Sequence, residues 1–146
     1  MKLIVATEQN GGIGYLGRIP WRCREDQQFF KLITTGNRVF MGRNTYESLP
    51  GPLVDRSNWV ITSQTTLRKG FYKADKQMMY EMNEGFIIGG QQLYEEALRI
   101  NAVDEIYLSR IDEYHECDRF FDVPKAFRCV SKLELSYRCT VEKWIL

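Results

Sequence analysis

The stretch Phe86-Ile87-Ile88-Gly89-Gly90-Gln91-Gln92 decides the fold class. An apolar run without polar interruption is typical of a strand that is buried on both faces, and the two glycines separate it from a helical pattern. The segment Phe40-Met41-Gly42-Arg43-Asn44-Thr45 repeats this order of strand, glycine and helix. Strands that pass through a tight turn into a helix are the units of a largely parallel α/β sheet.

The same alternation of apolar runs and helical patterns continues outward along the chain. Continuous runs predict strands at residues 3–6, 38–41, 59–61 and 86–88, and helical spacing predicts helices at residues 24–34, 43–48, 74–83 and 91–100. Strict alternation over residues 133–142 predicts one antiparallel strand, and apolar runs at residues 106–108 and 144–146 add others. We therefore predict a single α/β domain over residues 1–146: a twisted, mixed, mostly parallel sheet of about eight strands, with an antiparallel C-terminal edge and about four flanking helices.

Composition limits where the protein acts. The sequence is 44% hydrophobic and 13% aromatic, which supplies a packed core and excludes a disordered chain. Its 20 Lys and Arg nearly balance its 19 Asp and Glu, so no overall charge attracts it to nucleic acid or to an anionic membrane. The apolar run at residues 3–6 is far too short for a signal peptide or a membrane span. We expect a cytoplasmic protein, a monomer by default, that binds neither nucleic acid nor a membrane.

Cysteine and histidine give no metal signature. Cys23, Cys117, Cys129 and Cys139 form no C-x-x-C pair, and His115 is the only histidine, so a zinc site would need poorly spaced ligands. Disulfide pairings are formally open, but a chain with this apolar fraction does not need them, and reduced thiols are expected. His115 is expected to lie in a surface loop.

Asp26 is the first candidate for chemistry. At 100° per residue it lies within about 60° of Phe29, Phe30 and Ile33, inside the apolar arc of its own helix. A carboxylate there is desolvated, which raises its pKa, and it suits a heteroaromatic ring with two adjacent N–H donors, such as a pterin. The segment Ile19-Pro20-Trp21 suggests an aromatic wall beside it. The alternative is an acid that only complements the dipole at the start of a helix.

Two strand-to-helix turns are candidates for holding a diphosphate. Gly42 and Gly89-Gly90 allow an anion to approach unpaired N–H groups, although such turns also occur for tight packing alone. Arg43 adds a fixed charge, and Thr62-Ser63 ends a neighbouring strand, which favours NADP over NAD. Arg56 either binds a substrate carboxylate or is an exposed loop arginine.

These segments, in this order, resemble the dihydrofolate reductase family over nearly the whole chain. The resemblance rests on Ile4-Val5-Ala6, Gly12-Ile13-Gly14, Ile19-Pro20-Trp21, Asp26 with Phe29-Phe30-Lys31, residues 41–49, Pro52-Leu53, Arg56-Ser57-Asn58, Ile87-Ile88-Gly89-Gly90 and Leu93-Tyr94. The resemblance implies NADPH-dependent reduction of 7,8-dihydrofolate to 5,6,7,8-tetrahydrofolate, with hydride transfer to C6 and protonation at N5. It also implies a role in thymidylate and one-carbon metabolism and competition by antifolate inhibitors.

The resemblance assigns roles position by position. The implied catalytic residues are Asp26, which binds the pterin, Trp21, which orders a water molecule, and Ser109, which replaces the usual threonine beside the acid. The implied substrate-binding residues are Ile4, Val5, Ala6, Asp26, Phe30, Leu49, Leu53, Arg56, Ile88 and Tyr94. The implied cofactor-binding residues are Ala6, Ile13, Gly14, Gly42, Arg43, Asn44, Thr45, Thr62, Ser63, Ile88, Gly89, Gly90, Gln91, Gln92, Leu93 and Tyr94. The family also implies a mobile loop at residues 14–21 and a cis Gly89–Gly90 peptide bond. The cysteine and histidine spacing leads us to expect no metal.

Departures from the family pattern leave two points open. Gln91 and Gln92 replace glycine and arginine of some bacterial members, so the contacts to the cofactor phosphates beyond Arg43 are undetermined. Cys117 and Arg119 lie in a loop that supports the active-site loop in bacterial members, so the dynamics of that loop are the second open point.

Two other functions are considered: a binding protein without turnover, and a reductase of the same fold that acts on a pyrimidine intermediate of riboflavin synthesis. Retention of the catalytic set argues against the first, and Arg56 with Phe30 against the second.

Overall fold

Strands and helices alternate along residues 1–146 in a computed structural model of the chain. The strands are β1 Lys2–Thr7, β2 Gly12–Gly14, β3 Arg38–Gly42, β4 Ser57–Ile61, β5 Phe71–Ala74, β6 Phe86–Gly89, β7 Glu105–Ile111, β8 Arg119–Phe120, β9 Arg128–Ser136 and β10 Cys139–Ile145. The helices are α1 Arg24–Thr34, α2 Arg43–Ser48, α3 Lys76–Met82 and α4 Gln91–Arg99.

One sheet of eight strands runs through the molecule in the order β5-β4-β3-β6-β1-β7-β10-β9. The six strands from β5 to β7 are parallel to one another, whereas β10 is antiparallel to both β7 and β9. The predicted mixed sheet, its antiparallel C-terminal edge and its four helices are therefore confirmed. The short strands β2 and β8 form a separate antiparallel pair.

Both faces of the parallel part are covered, which explains its uninterrupted apolar runs. Successive side chains of a strand point to opposite faces. Leu3 of β1 is buried in the cluster that includes Leu93 and Ala97 of α4, whereas Ile4 is buried in the cluster against which Phe29 of α1 packs. A polar residue in such a run would be buried on either face.

The predicted strand over residues 133–142 is wrong as a single element, because it is two strands. β9 and β10 pair as a hairpin in which Ser136 faces Cys139, and Tyr137 and Arg138 form the connection. A connection of two residues preserves the alternation of inward and outward side chains, so the period alone does not reveal it. Tyr137 lies at the tip with 83% of its surface exposed.

Other element boundaries also differ from the prediction. The third helix begins at Lys76 rather than at Ala74, because residues 71–74 add β5 to the sheet edge and the Asp75 carboxylate caps the helix by accepting from the N–H of Met78 at 2.8 Å. Residues 12–14 form the short strand β2, which was not predicted, and α4 ends at Arg99, one residue early.

All four cysteines are free thiols, as expected. Cys23 and Cys139 are buried together, whereas Cys117 and Cys129 are half-buried. No helix of the structure is both long enough and apolar enough to span a bilayer.

Candidate functional site

A cleft of about 870 Å³ opens at the carboxyl ends of the central parallel strands. This edge of a parallel sheet is where α/β proteins bind ligands, because the strand ends and the helix N-termini meet there. The cleft brings together the predicted substrate-site residues Ile4, Val5, Ala6, Asp26, Phe30, Ile88 and Tyr94. It also brings together the predicted cofactor-site residues Ile13, Gly14, Asn44, Thr45, Gly89, Gly90 and Gln91.

Asp26 projects from the first turn of α1 into this cleft and forms no ion pair. Burial raises the pKa of its carboxyl group, and a hydrogen bond with the Ser109 hydroxyl opposes that rise. Ser109 is buried on β7, directly beside Ala6 of β1 in the sheet. A carboxylate without a cationic partner is free to accept N–H donors from a ligand. This placement favours a ligand-binding role for Asp26 over that of an acid that only complements the dipole at the start of a helix.

Tyr94 fixes α4 against β1 next to this carboxylate. Its buried hydroxyl group donates a hydrogen bond of 2.7 Å to the carbonyl oxygen of Ile4. Burial, with a smaller contribution from the charge of Asp26, raises the pKa of Tyr94 far above its ordinary value. The hydroxyl group therefore stays protonated and serves as a permanent donor at the cleft wall.

The two glycine turns, at Gly42 after β3 and at Gly89–Gly90 after β6, contact each other at the cleft. α2 and α4 begin after Gly42 and Gly90 without a side-chain cap, in contrast to α3. A Cβ atom on Gly42 would lie 3.8 Å from the Gly89 carbonyl oxygen and from the Gly90 nitrogen, so the turns are in contact. The Gly89–Gly90 peptide bond is cis, as the family resemblance implies. Uncapped N–H groups at the start of α4 suit an anion.

The residues predicted for an additional phosphate lie beside the cleft and outside its wall. Gly42 pairs with Ile61 across the neighbouring strands β3 and β4, which brings Arg43 and Thr62 close to each other. Arg43 is exposed and forms an ion pair of 2.8 Å with Glu47, and Ser63 is also exposed. Gln92 is exposed as well, whereas the Leu93 side chain is buried in the core, so only its main chain is available to a ligand.

Arg56 is held in place by the fold and is therefore not a free loop arginine, although it does not itself line the cleft. Its Nη1 donates to the Thr34 hydroxyl oxygen at 3.1 Å, and its Nε donates to the Val54 carbonyl oxygen at 2.9 Å. The guanidinium group lies 5.8 Å from the centre of the Phe30 ring, which lines the cleft. Leu49 and Leu53 are half-buried against the same apolar cluster as Phe30.

Trp21 lies behind the cleft and not in its wall. The indole is buried in the cluster that contains Cys23 and Cys139, with its ring centre 6.1 Å from that of His115. His115 lies in the loop after β7, as expected, but its side chain is only 27% exposed and its Nε2 lies 2.8 Å from Oε1 of Glu113. No spacing in the sequence predicts this contact, since it depends on how the segment after β7 folds back.

The cleft wall also contains residues that sequence reasoning did not assign. They are Gly17, Arg18, Glu47, Ser48 and Arg119, whereas Ile19, which also lines the cleft, belongs to the segment expected beside Asp26. Ser48 was predictable, because it follows Asn44 and Thr45 at helical spacing on α2. Arg119 had no such signal, since it arrives on β8 from far along the chain.

Comparison with known proteins identifies the relatives of this fold. The family model for dihydrofolate reductase matches residues 1–140. The dihydrofolate reductase of Schistosoma mansoni is 36% identical over 143 residues, covering 83% of this chain and 77% of the relative. A bifunctional dihydrofolate reductase-thymidylate synthase of Paramecium tetraurelia is 35% identical, covering 82% of this chain and 28% of the relative. The chain therefore spans less than a third of that relative's length.

A solved structure of similar fold is dihydrofolate reductase from Enterococcus faecalis in complex with NADP(H) and RAB-propyl. It has a TM-score of 0.83 and 27% identity, covering 99% of this chain and 94% of the other. Fold and relatives together define an α/β oxidoreductase. Within that class, the chain belongs to the dihydrofolate reductase family, which confirms the predicted family, fold and enzyme class.

Proposed function

We propose that the protein reduces 7,8-dihydrofolate to 5,6,7,8-tetrahydrofolate with NADPH in this cleft, and that residues 1–146 act as one domain. The observation that carries the proposal is the Asp26 carboxyl group, which lies in the cleft without a cation beside it. The Enterococcus faecalis relative, of the same fold, is solved with NADP(H). Tetrahydrofolate links the reaction to thymidylate synthesis and one-carbon metabolism.

The glycine turns fit a dinucleotide diphosphate. A Cβ atom on Gly89 would lie 3.1 Å from the Thr45 hydroxyl oxygen, so a side chain there would fill the space between the turns. The uncapped N–H groups of α4 and the hydroxyl of Thr45 face the same cleft. When bound, NADPH supplies the hydride for C6 of the substrate. Residues proposed to hold it are Ala6, Ile13, Gly14, Gly42, Arg43, Asn44, Thr45, Thr62, Ser63, Ile88, Gly89, Gly90, Gln91, Gln92, Leu93 and Tyr94.

Asp26 is proposed to bind the pterin ring. Its two oxygens accept from N3 and the 2-amino group, and the negative charge favours protonation of the ring at N5. The Ser109 hydroxyl, which opposes the rise in the pKa of Asp26, is proposed to hold the carboxyl group in place. Trp21, packed behind the cleft, is proposed to order the water that supplies the proton.

The benzoyl-glutamate part of the substrate is proposed to lie along α1. Phe30, Leu49 and Leu53 form an apolar wall for the benzoyl group, and Arg56 pairs with the glutamate α-carboxylate. The fixed position of Arg56 supports a substrate with a glutamate tail over a pyrimidine intermediate of riboflavin synthesis. Antifolates are proposed to compete for this site. A cytoplasmic monomer that binds neither nucleic acid nor a membrane remains part of the proposal.

The test is turnover by the purified protein. We expect the near-ultraviolet absorbance of NADPH to fall when dihydrofolate is added, and to stay constant with the pyrimidine intermediate or without substrate. The Asp26→Asn variant, purified identically, controls for a contaminating reductase. A folded protein that binds both ligands without oxidising NADPH would show the binding protein to be the correct alternative.

A further inference from the structure

Two arginines at the cleft have no carboxylate partner. Arg18 and Arg119 both line the cleft, and neither forms an ion pair, whereas Arg43 is paired with Glu47 at 2.8 Å. The only hydrogen bond of the Arg119 guanidinium group is from Nη1 to the main-chain carbonyl oxygen of Asp118, at 3.1 Å. Unpaired guanidinium groups in a concave site favour an anionic ligand.

Arg119 is fixed opposite the start of α4. It lies on β8, where it pairs with Gly14 of β2, and a Cβ atom on Gly14 would lie 3.9 Å from the Arg119 Cβ. The Gln91 side-chain amide donates to the Phe120 carbonyl oxygen at 3.2 Å, which ties β8 to the first turn of α4. Arg18, by contrast, lies in a loop with a single bridge to Tyr15.

The first turn of α4 provides N–H groups but no charge. It contains Gln91 and Gln92, and no side chain caps it. An anion at this position gains from the uncapped N–H groups, but a cation has to come from another element.

We propose that Arg119 is that cation, and that it binds the diphosphate of the dinucleotide from the β8 side of the cleft. The inference rests on the proposed function, because it takes NADPH as the ligand. The guanidinium fork matches two phosphate oxygens, and its anchor on β8 is already joined to α4 through Gln91. Because Arg119 on β8 supplies the positive charge, the first turn of α4 does not need an arginine of its own.

The test is direct binding of dinucleotides, measured by calorimetry without folate. We expect Arg119→Gln to weaken NADPH and NADH by the same factor, roughly tenfold, because both carry the diphosphate. Arg119→Lys should restore part of the loss, since it keeps the charge but not the fork. Arg43→Gln should weaken NADPH more than NADH, because Arg43 is proposed to bind the 2′-phosphate. Arg128→Gln, an exposed arginine on the edge strand β9, is the matched control.

Each other outcome overturns the inference. Unchanged dinucleotide binding in Arg119→Gln would show that Arg119 does not contact the ligand. A loss confined to NADPH would place Arg119 at the 2′-phosphate, and weaker dihydrofolate binding with unchanged dinucleotide binding would place it at the substrate. Turnover of the parent protein is measured separately: if it is absent while NADPH binds, the proposed function fails and the calorimetry still decides the role of Arg119.

Discussion

The chemistry of Asp26 follows from its position on α1 and from its interaction with Ser109, which comes from a distant part of the chain. Its position in the first turn of α1 points it toward the cleft, and helical spacing was sufficient to predict that direction. The hydrogen bond with Ser109 was not predictable from spacing, because β7 reaches Asp26 only through the pairing of β1 with β7. Because the buried carboxyl group has no cation beside it, it is available to bind a ligand that enters the cleft.

Replacement of Asp26 by Asn should lower turnover with little change in shape. We expect roughly a 100-fold or larger loss at neutral pH, because the neutral amide no longer favours protonation of the pterin. The loss should be smaller at acidic pH, where the substrate is already protonated. Steady-state rates across pH are the measurement, with Asp122→Asn, an exposed acid, as the control. A neutral-pH rate equal to that of the parent would contradict the assigned role.

The same substitution should stabilise the fold. Burial raises the pKa of Asp26 in the folded chain above its ordinary value of 3.8, so the folded state loses stability as pH rises from that value through the raised one. At neutral pH the charged carboxylate is therefore destabilising, and Asn removes the charge. We expect a higher Tm for Asp26→Asn at neutral pH and no difference at pH below about 3. A lower Tm at neutral pH would show that Ser109 outweighs the effect of burial.

At the scale of elements, an ion-pair network joins the segment after β7 to the β9–β10 hairpin. Glu113 accepts from Arg138 at 2.8 Å, and its other oxygen lies 2.8 Å from His115, the residue that packs beside Trp21. Arg138 also donates to the carbonyl oxygen of Arg22, just before α1. The network therefore connects three segments that pack around Trp21.

Loss of Glu113 should destabilise this junction in a pH-dependent way. Hydrogen bonds from Arg138, and then from His115, hold the pKa of Glu113 below its ordinary value of 4.5, so its contribution is present above that value and is lost as pH falls through the lowered one. We expect Glu113→Gln to lower Tm by roughly 2–4 °C at neutral pH and to have no effect in strong acid. Thermal melts across pH test this, with Glu116→Gln, exposed in the same segment, as the control.

Element types were more predictable than element pairings. The bounds of α1 and α2 follow from helical spacing and from the glycine at Gly42. The hairpin at Tyr137 and Arg138 was missed because its turn preserves the alternation, and β5 was missed because Phe71–Ala74 is a short edge strand with two exposed residues. Short strands depend on their neighbours more than on their own composition.

At the scale of the molecule, the order of the sheet assembles the cleft. β6 lies between β3 and β1, so the turns after Gly42 and Gly89 are neighbours although they are far apart in the chain. Most of the residues that line the cleft were predicted from the sequence, but Arg18 and Arg119 were not, because loop 14–21 and β8 come to the cleft wall only when β2 pairs with β8 in the folded chain.

Binding of the cofactor should stabilise the whole domain, because the cleft exists only when the sheet is formed. At a ligand concentration of 100 times Kd, a ligand that binds only the folded state adds about 2.7 kcal/mol. For a domain of this length we expect NADPH to raise Tm by roughly 5–10 °C. Melts with NADPH, compared with nicotinamide at equal concentration, give the measurement. An unchanged Tm at saturation would contradict a site built by the complete fold.

The placement of the four thiols decides how the protein can be labelled for optical work. Cys23 and Cys139 are enclosed beneath the indole, and burial raises the pKa of Cys139 to about 12, so maleimides will not reach a reactive thiolate there. Cys129 lies half-exposed on the outermost strand, remote from the ligand cleft. A fluorophore on Cys129, with Cys117 replaced by serine, therefore reports tumbling and compactness while leaving the chemistry undisturbed.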